Sequence, residues 1–170
     1  MAQEAYEGKI DLLEDDPDTV DAMINYFYRL EYGLGWINLS RISEDEAAET
    51  ATPEAATDST RQSPARPMLV AHAKVYMLAD KYLISGLKAL ALRKFTTSVC
   101  NCFDANDFLH AMQEIYSSTS DNEDGLRAVI VSTLYKHRYL LDQKEVQAVL
   151  KDFGSVTYDL VMFIHKQVEQ

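Results

Sequence analysis

Apolar residues recur every three or four positions along most of the chain, and that spacing predicts helices rather than strands. From Pro17 to Glu31, Val20, Ile24, Phe27 and Leu30 form one stripe with Met23 and Tyr28 beside it, so this segment reads as a helix that buries the stripe. Asp16-Pro17 supplies an N-cap and a first helical residue, and Asp18 falls in the first turn, where a carboxylate favours the helix dipole. Gly33-Leu34-Gly35 ends the run.

A second periodic run begins at Met68. Leu69, His72, Ala73, Tyr76, Ala79, Asp80 and Leu83 keep helical spacing to about Tyr82, and Ser85-Gly86 breaks it. A third helix, Leu87 to about Cys102, carries Leu87, Leu90, Ala91, Lys94 and Phe95 along one strip, with the aliphatic stem of Lys94 covering its edge. The two together predict a helical hairpin. Asp104 reads as the next N-cap, with Asp107 three residues on and Phe108, Leu109, Met112, Ile115 and Tyr116 as the buried face. After a polar loop over Ser117–Asn122 comes a helix from about Glu123 to Tyr139, built on Leu126, Val129, Ile130, Thr133, Leu134 and His137. Asp142 and Glu145 read as a reciprocal capping pair opening a helix to about Asp152. Phe153-Gly154 reads as a stop, with Gly154 in the left-handed conformation, before a last helix from Ser155 that buries Val156, Leu160, Phe163, Ile164 and Gln167.

Two places break the helical pattern. Lys9-Ile10-Asp11-Leu12 alternates as a short strand does, and Trp36, Ile37 and Leu39 suit either a short extended piece or a loop anchor. From Ser40 to Pro67 the chain turns rich in Ala, Glu, Thr, Ser and Pro, with no bulky apolar residue after Ile42, so it lacks the surface to offset chain entropy. That stretch reads as a disordered acidic loop, in which Thr52-Pro53 and Ser63-Pro64 have the minimal form of proline-directed phosphorylation sites. The expected fold class is therefore mainly α, a bundle of about six helices with at most one or two short strands.

Charge changes the picture of partners. The net charge is -11, and residues 1–60 hold 15 of the 27 acidic residues against only Lys9, Arg29 and Arg41. Such a balance repels nucleic-acid phosphate and anionic lipid, so neither is expected as a partner. The N-terminal MAQEAYEGKIDLLEDD lacks the basic start and apolar run of a signal peptide, and no apolar run reaches the ~18 residues of a membrane span. A cytosolic or nuclear location follows as the expectation, and Asn38-Leu39-Ser40 is then a chance match to a glycosylation acceptor.

Candidate chemistry is sparse. Cys100 and Cys102 have a spacing that suits neither a disulfide framework nor paired zinc ligands, and read as reduced, structural residues. His72, His110, His137 and His165 fall on different helices without ligand spacing, and read as partly exposed helix histidines. No Ser or Cys lies in a Gly-flanked strained turn, and the scattered glycines form no phosphate loop, so no catalytic, cofactor-binding or metal-binding residue is expected. Tyr26, Tyr28, Tyr32, Tyr76 and Tyr82 suit a half-buried helix face and a protein interface alike. Asp80 is expected to meet a donor near the Ser85-Gly86 bend, with Lys81 solvated.

Two stretches carry a resemblance. Ile10-Asp11-Leu12-Leu13-Glu14-Asp15-Asp16-Pro17, running into Met23-Ile24-Asn25-Tyr26-Phe27-Tyr28 and Tyr32, is similar to a strand, acidic corner and helix of fungal BTB/POZ proteins. Leu78-Ala79-Asp80-Lys81-Tyr82, continuing to Leu87, resembles the helical hairpin of the same family, and Phe108-Leu109-His110-Ala111-Met112 with Ile115-Tyr116, Leu126-Arg127 and Phe153 is similar to its helical tail. The strands and helical pair that open such a domain, and supply much of its dimer interface, have no counterpart before Tyr6. The resemblance thus implies a partial BTB/POZ segment over 1–39, the acidic loop over 40–67, a BTB/POZ-like hairpin over 68–103 and a helical extension over 104–170. It implies a non-enzymatic protein-interaction module, an adaptor in ubiquitin-ligase or transcription-related complexes, with a cullin-type scaffold among its partners. The alternative is a truncated remnant without independent function.

Overall fold

The computed structural model describes Leu12 and residues 14–33, 68–101, 103–119 and 124–168, without the side chain of Asp124. Among these residues the chain forms seven α-helices and no strand: α1 Pro17–Arg29, α2 Met68–Lys81, α3 Ser85–Asn101, α4 Ala105–Ser118, α5 Asp124–Lys136, α6 Lys144–Asp152 and α7 Gly154–Val168. A 3₁₀ turn, Arg138–Asp142, links α5 to α6. The mainly α bundle agrees with the spacing of apolar residues. The strand expected at Lys9–Leu12, the Trp36–Leu39 piece, the acidic loop over 40–67 with Thr52 and Ser63, and Cys102 lie outside the described residues, Leu12 excepted.

The α2–α3 hairpin forms the centre. α4 and α1 pack on α2, while α5 and α7 pack together on the far side and α6 closes against the 3₁₀ turn and α7. Leu69, Val75, Leu87, Phe95, Phe108, Met112, Ile115, Leu126, Ile130, Leu134 and Leu140 are fully buried and make one continuous core. Each such aliphatic or aromatic side chain withdrawn from water contributes on the order of 1.5–3 kcal/mol. Ala22 and Met23 of α1 and Tyr32 just after it belong to the same core.

Local chemistry sets the helix ends. The Asp104 carboxylate accepts the Asp107 N–H at 2.8 Å, the N-cap that the sequence predicts for α4. α2 ends at Leu83, where the Leu83 N–H bonds the Asp80 carbonyl (3.0 Å) and the Ile84 N–H bonds the Ala79 carbonyl (2.8 Å). This is the Schellman pattern, and Leu83 takes the left-handed position with φ 58°, where glycine is usual. Ser85-Gly86 accordingly opens α3 rather than breaking the chain.

Three boundary expectations are corrected. Asp142 closes the 3₁₀ turn and Gln143 takes the N-cap position of α6 without a side-chain cap bond, so Asp142 and Glu145 form no reciprocal box. Gly154 is the first residue of α7 and has no left-handed φ. Ile164 and Gln167 are exposed, because α7 turns only Val156, Leu160 and part of Phe163 inward.

Candidate functional site

The α1 helix buries a different face from the one its stripe predicts. Thr19, Ala22 and Met23 face α2, with Val20 and Tyr26 half-buried. Ile24 is 45% exposed, Phe27 60%, Tyr28 86% and Leu30 74%. The small residues Thr19 and Ala22 permit a close approach, so the narrow face packs inward and the bulky apolar face is left in water. A large apolar patch of this kind marks an interaction surface more often than a lone exposed leucine does.

Polar contacts fix α1 in place at both ends. Asp15, just before the helix, accepts hydrogen bonds from Lys81 Nζ at 2.7 Å and from the Tyr82 hydroxyl at 2.5 Å, across 66 and 67 residues of chain. The Lys81 hydrogen bond, then that from Tyr82, holds the Asp15 carboxyl below the usual carboxylate range. Lys81 is therefore paired and not simply solvated. After the helix, Lys94 Nζ bonds the Tyr32 carbonyl at 2.6 Å and the Glu31 carboxylate at 2.5 Å, and lies 4.7 Å from the centre of the Tyr32 ring. The Tyr32 hydroxyl meets His72 Nδ1 at 2.9 Å inside the protein.

His72 is thus a core residue of α2, contrary to the expected partly exposed position. Burial, with the Lys94 charge adding to it, pushes its imidazole down to about 4, so it stays neutral at physiological pH. Burial likewise pushes the Tyr32 hydroxyl well above its ordinary value. His110 and His165 are exposed, and His137 stacks on Phe103 with centroids 4.8 Å apart. Among the described residues no group of three or more His, Cys, Asp or Glu is placed to hold a metal. Cys100 is exposed, so it does not fill the core.

The signature residues of the hairpin divide into two roles. Leu78, Ala79 and Leu87 are buried in the core. Asp80, Lys81 and Tyr82 are exposed at the bend, where Asp80 receives Lys88 Nζ at 2.6 Å from the first turns of α3 and the other two hold Asp15. The donor expected for Asp80 is therefore a side chain one turn past the bend. The Tyr26 hydroxyl lies only 2.1 Å from where a side chain on Gly86 would begin, so α1 rests against the start of α3, and glycine makes the approach feasible.

Two further polar clusters bind the helices to one another. Asp107 accepts the Leu69 N–H at 3.0 Å and so caps α2 from α4; burial raises its carboxyl above the ordinary value. Arg127 of α5 is buried with its guanidinium 4.6 Å from the Tyr116 ring centre, bonds the Thr119 carbonyl at 2.8 Å and faces Asp159 of α7, which accepts the Tyr116 hydroxyl. Beside this cluster lies a groove of about 460 Å³ between α5 and α7, lined in part by Tyr158, Met162 and Lys166. Tyr158, Val161, Ile164 and Val168 of α7 are exposed. No helix among the described residues is long and apolar enough to cross a membrane.

The chain was compared with protein-family models, curated proteins and solved structures, and none of them matches it. Among the described residues the candidate site is an exposed apolar face of α1, pinned at Asp15 and at Lys94, with a second exposed apolar face on α7, and the buried Asp107 Oδ1 has no hydrogen-bond partner.

Proposed function

We propose that the chain is a non-enzymatic protein-interaction module of BTB/POZ type, in which the outward face of α1 receives a protein partner. The observation that carries this reading is the exposure of Ile24, Phe27 and Tyr28 on a helix held firmly at both ends. Desolvation of three such side chains supplies the apolar centre that protein interfaces are built around, and aromatic residues are enriched there. The BTB/POZ assignment rests on Leu78–Tyr82 and Leu87, and adaptor service on a cullin-type ubiquitin-ligase scaffold or in a transcription-related complex rests on the same likeness.

A photo-crosslinking residue at position 27 tests the reading in cells, with the same residue at Gln147, an exposed polar position on α6, as control. Protein adducts specific to position 27 are expected; equal labelling at both positions refutes the surface. Co-migration of the purified chain with a cullin N-terminal domain tests the ligase branch.

The same exposed stripe favours a second reading, a remnant whose α1 face has lost its packing partner. Circular dichroism through a thermal melt separates the two. A cooperative transition is expected for an independently folded module, and a featureless slope belongs to the remnant.

A further inference from the structure

The C-terminal fastening of α1 converges on one buried imidazole. The Tyr32 hydroxyl meets His72 Nδ1 at 2.9 Å, and the two rings stand edge to face with centroids 5.7 Å apart. Both side chains are buried. The tyrosine therefore covers the histidine and ties the end of α1 to the first half of α2. Lys94 of α3 completes the arrangement, with its ammonium on the Tyr32 carbonyl, on the Glu31 carboxylate and over the Tyr32 ring.

A charged imidazole is opposed here by burial and by the Lys94 charge, and the Glu31 carboxylate is already engaged by Lys94. α4 also packs on α2, and its Asp107 meets the Leu69 N–H three residues before His72. Burial raises the Asp107 carboxyl, so acid favours its folded form, and it joins α4 to α2 rather than to α1. At the other end of α1, hydrogen bonds from Lys81 and Tyr82 hold the Asp15 carboxyl below its ordinary value, as the bond from Lys94 holds Glu31. Both carboxylates stay ionised at pH 5. His72 is then the group in the α1 fastening that responds between pH 7 and pH 5.

We propose that the Tyr32–His72 contact is a proton-sensitive latch, in which protonation of the imidazole is coupled to undocking of α1 from α2 while the α2–α3 hairpin stays folded. Undocking takes Tyr32 off the imidazole and Glu31 off Lys94, and water then meets both cations. The neutral imidazole fits the closed state and the charged one the open state, so protonation shifts the population toward the open state. Released α1 is a 13-residue segment, which is marginal as a helix on its own. The stripe of Ile24, Phe27 and Tyr28 dissolves with it. The latch itself needs no partner; that acid also releases a protein seated on the stripe rests on the interaction-module reading above.

With the imidazole at about 4 when closed and at its ordinary 6.5 when open, the open fraction rises about 20-fold from pH 7 to pH 5. Thr19→Cys reads it, since Thr19 is buried on the inward face of α1; the full chain also carries Cys100→Ser and Cys102→Ser. A pyridyl disulfide, which labels thiols in mild acid, is applied at pH 7, 6 and 5. Each rate is divided by that of an unstructured peptide carrying the same thiol. Thr133→Cys is the matched control, because Thr133 is buried in α5 and its hydroxyl, like that of Thr19, donates to a main-chain carbonyl in the preceding turn.

The ratio at position 19 is expected to rise about 20-fold and to exceed the ratio at position 133 at least tenfold throughout. His72→Gln abolishes the rise. Tyr32→Phe, which loses the hydroxyl and keeps the ring, raises the ratio about tenfold at pH 7 and retains the rise. Helical dichroism at pH 7 is expected to match the wild type in each variant.

A flat ratio at position 19, a ratio equal to that at position 133, or a rise that His72→Gln leaves in place overturns the proposal. Crosslinking from position 27 at pH 7 is independent of the latch. Its failure removes the interaction module and leaves the latch, whereas a flat ratio removes the latch and leaves the module.

Discussion

Replacing Leu83 with Gly tests the account of how α2 ends. Leu83 sits at φ 58° with its side chain 89% exposed, so removing that side chain forfeits little buried surface. Both bonds of the turn, from the Leu83 and Ile84 N–H groups, are backbone bonds that glycine keeps. An L-residue in the left-handed region costs about 1–2 kcal/mol relative to glycine. The greater freedom of glycine in the unfolded chain takes back about 0.4–1 kcal/mol. Leu83→Gly is therefore expected to stabilise the protein by about 0.5–1 kcal/mol, a rise in Tm of about 1–4 °C for a chain of this length. Urea unfolding followed by circular dichroism reads the midpoint, and an unchanged m-value shows that the unfolded state has not shifted. Leu83→Asn gains less, since Asn tolerates this conformation without preferring it. A fall in midpoint for Leu83→Gly would falsify the reasoning, because it requires the leucine side chain to make a stabilising contact that its exposure denies.

Three other outcomes follow from the packing. His72 has a folded pKa of about 4 against an ordinary 6.5, so the unfolded chain takes up a proton that the folded one refuses between these values. Stability is unaffected above pH 6.5 and falls as pH drops from there to about 4, by about 2–3 kcal/mol in all; urea midpoints at several pH values check this, and His72→Gln flattens that part of the curve. Gly86→Ala and Gly125→Ala part company: the new methyl meets the half-buried Tyr26 hydroxyl, which can swing outward, in the first and the buried Tyr76 hydroxyl at 2.4 Å in the second. Thermal melts are expected to show Gly86→Ala near neutral, helped by the helix preference of alanine, and Gly125→Ala destabilised by about 1–3 kcal/mol. Leu87→Ala empties a fully buried position where α3 meets the core and costs about 2–5 kcal/mol, measured in the same way.

The helices from α2 to α7 were legible because their apolar residues repeat at 3.6 and meet one another inside one core. Asp104 declared the start of α4 for the same local reason, a carboxylate three residues ahead of the N–H it caps. The candidate site was hidden by a rule that holds for α2 to α5 but fails on α1 and on part of α7, that the bulkiest stripe turns inward. On α1 the choice fell to Thr19, Ala22 and Met23, and no periodicity distinguishes a stripe that faces a neighbouring helix from one that faces water. Contacts such as Asp15 with Lys81 and Tyr32 with His72 join residues 66 and 40 apart, so spacing is silent about them. His72 shared the apolar face of α2 in the sequence pattern, and that was the available signal of its burial. Leu83 concealed the Schellman turn because the residue that usually announces one is absent.

The fastening of α1 also bears on how the molecule opens. Its inward face is small, with Ala22 and Met23 as its share of the common core, and its anchors join the exposed Lys81 and Glu31 side chains to the largely buried Asp15 and the buried Tyr32. Such a helix can detach as one cooperative unit at a free energy well below that of global unfolding. Native-state amide exchange in α1 should then run faster than in α3, by a margin set by that partial opening. Any molecule seated on Ile24 and Phe27 slows exchange throughout α1, including at amides it never touches, so that occupancy of the outer face is written into the protection of the whole helix.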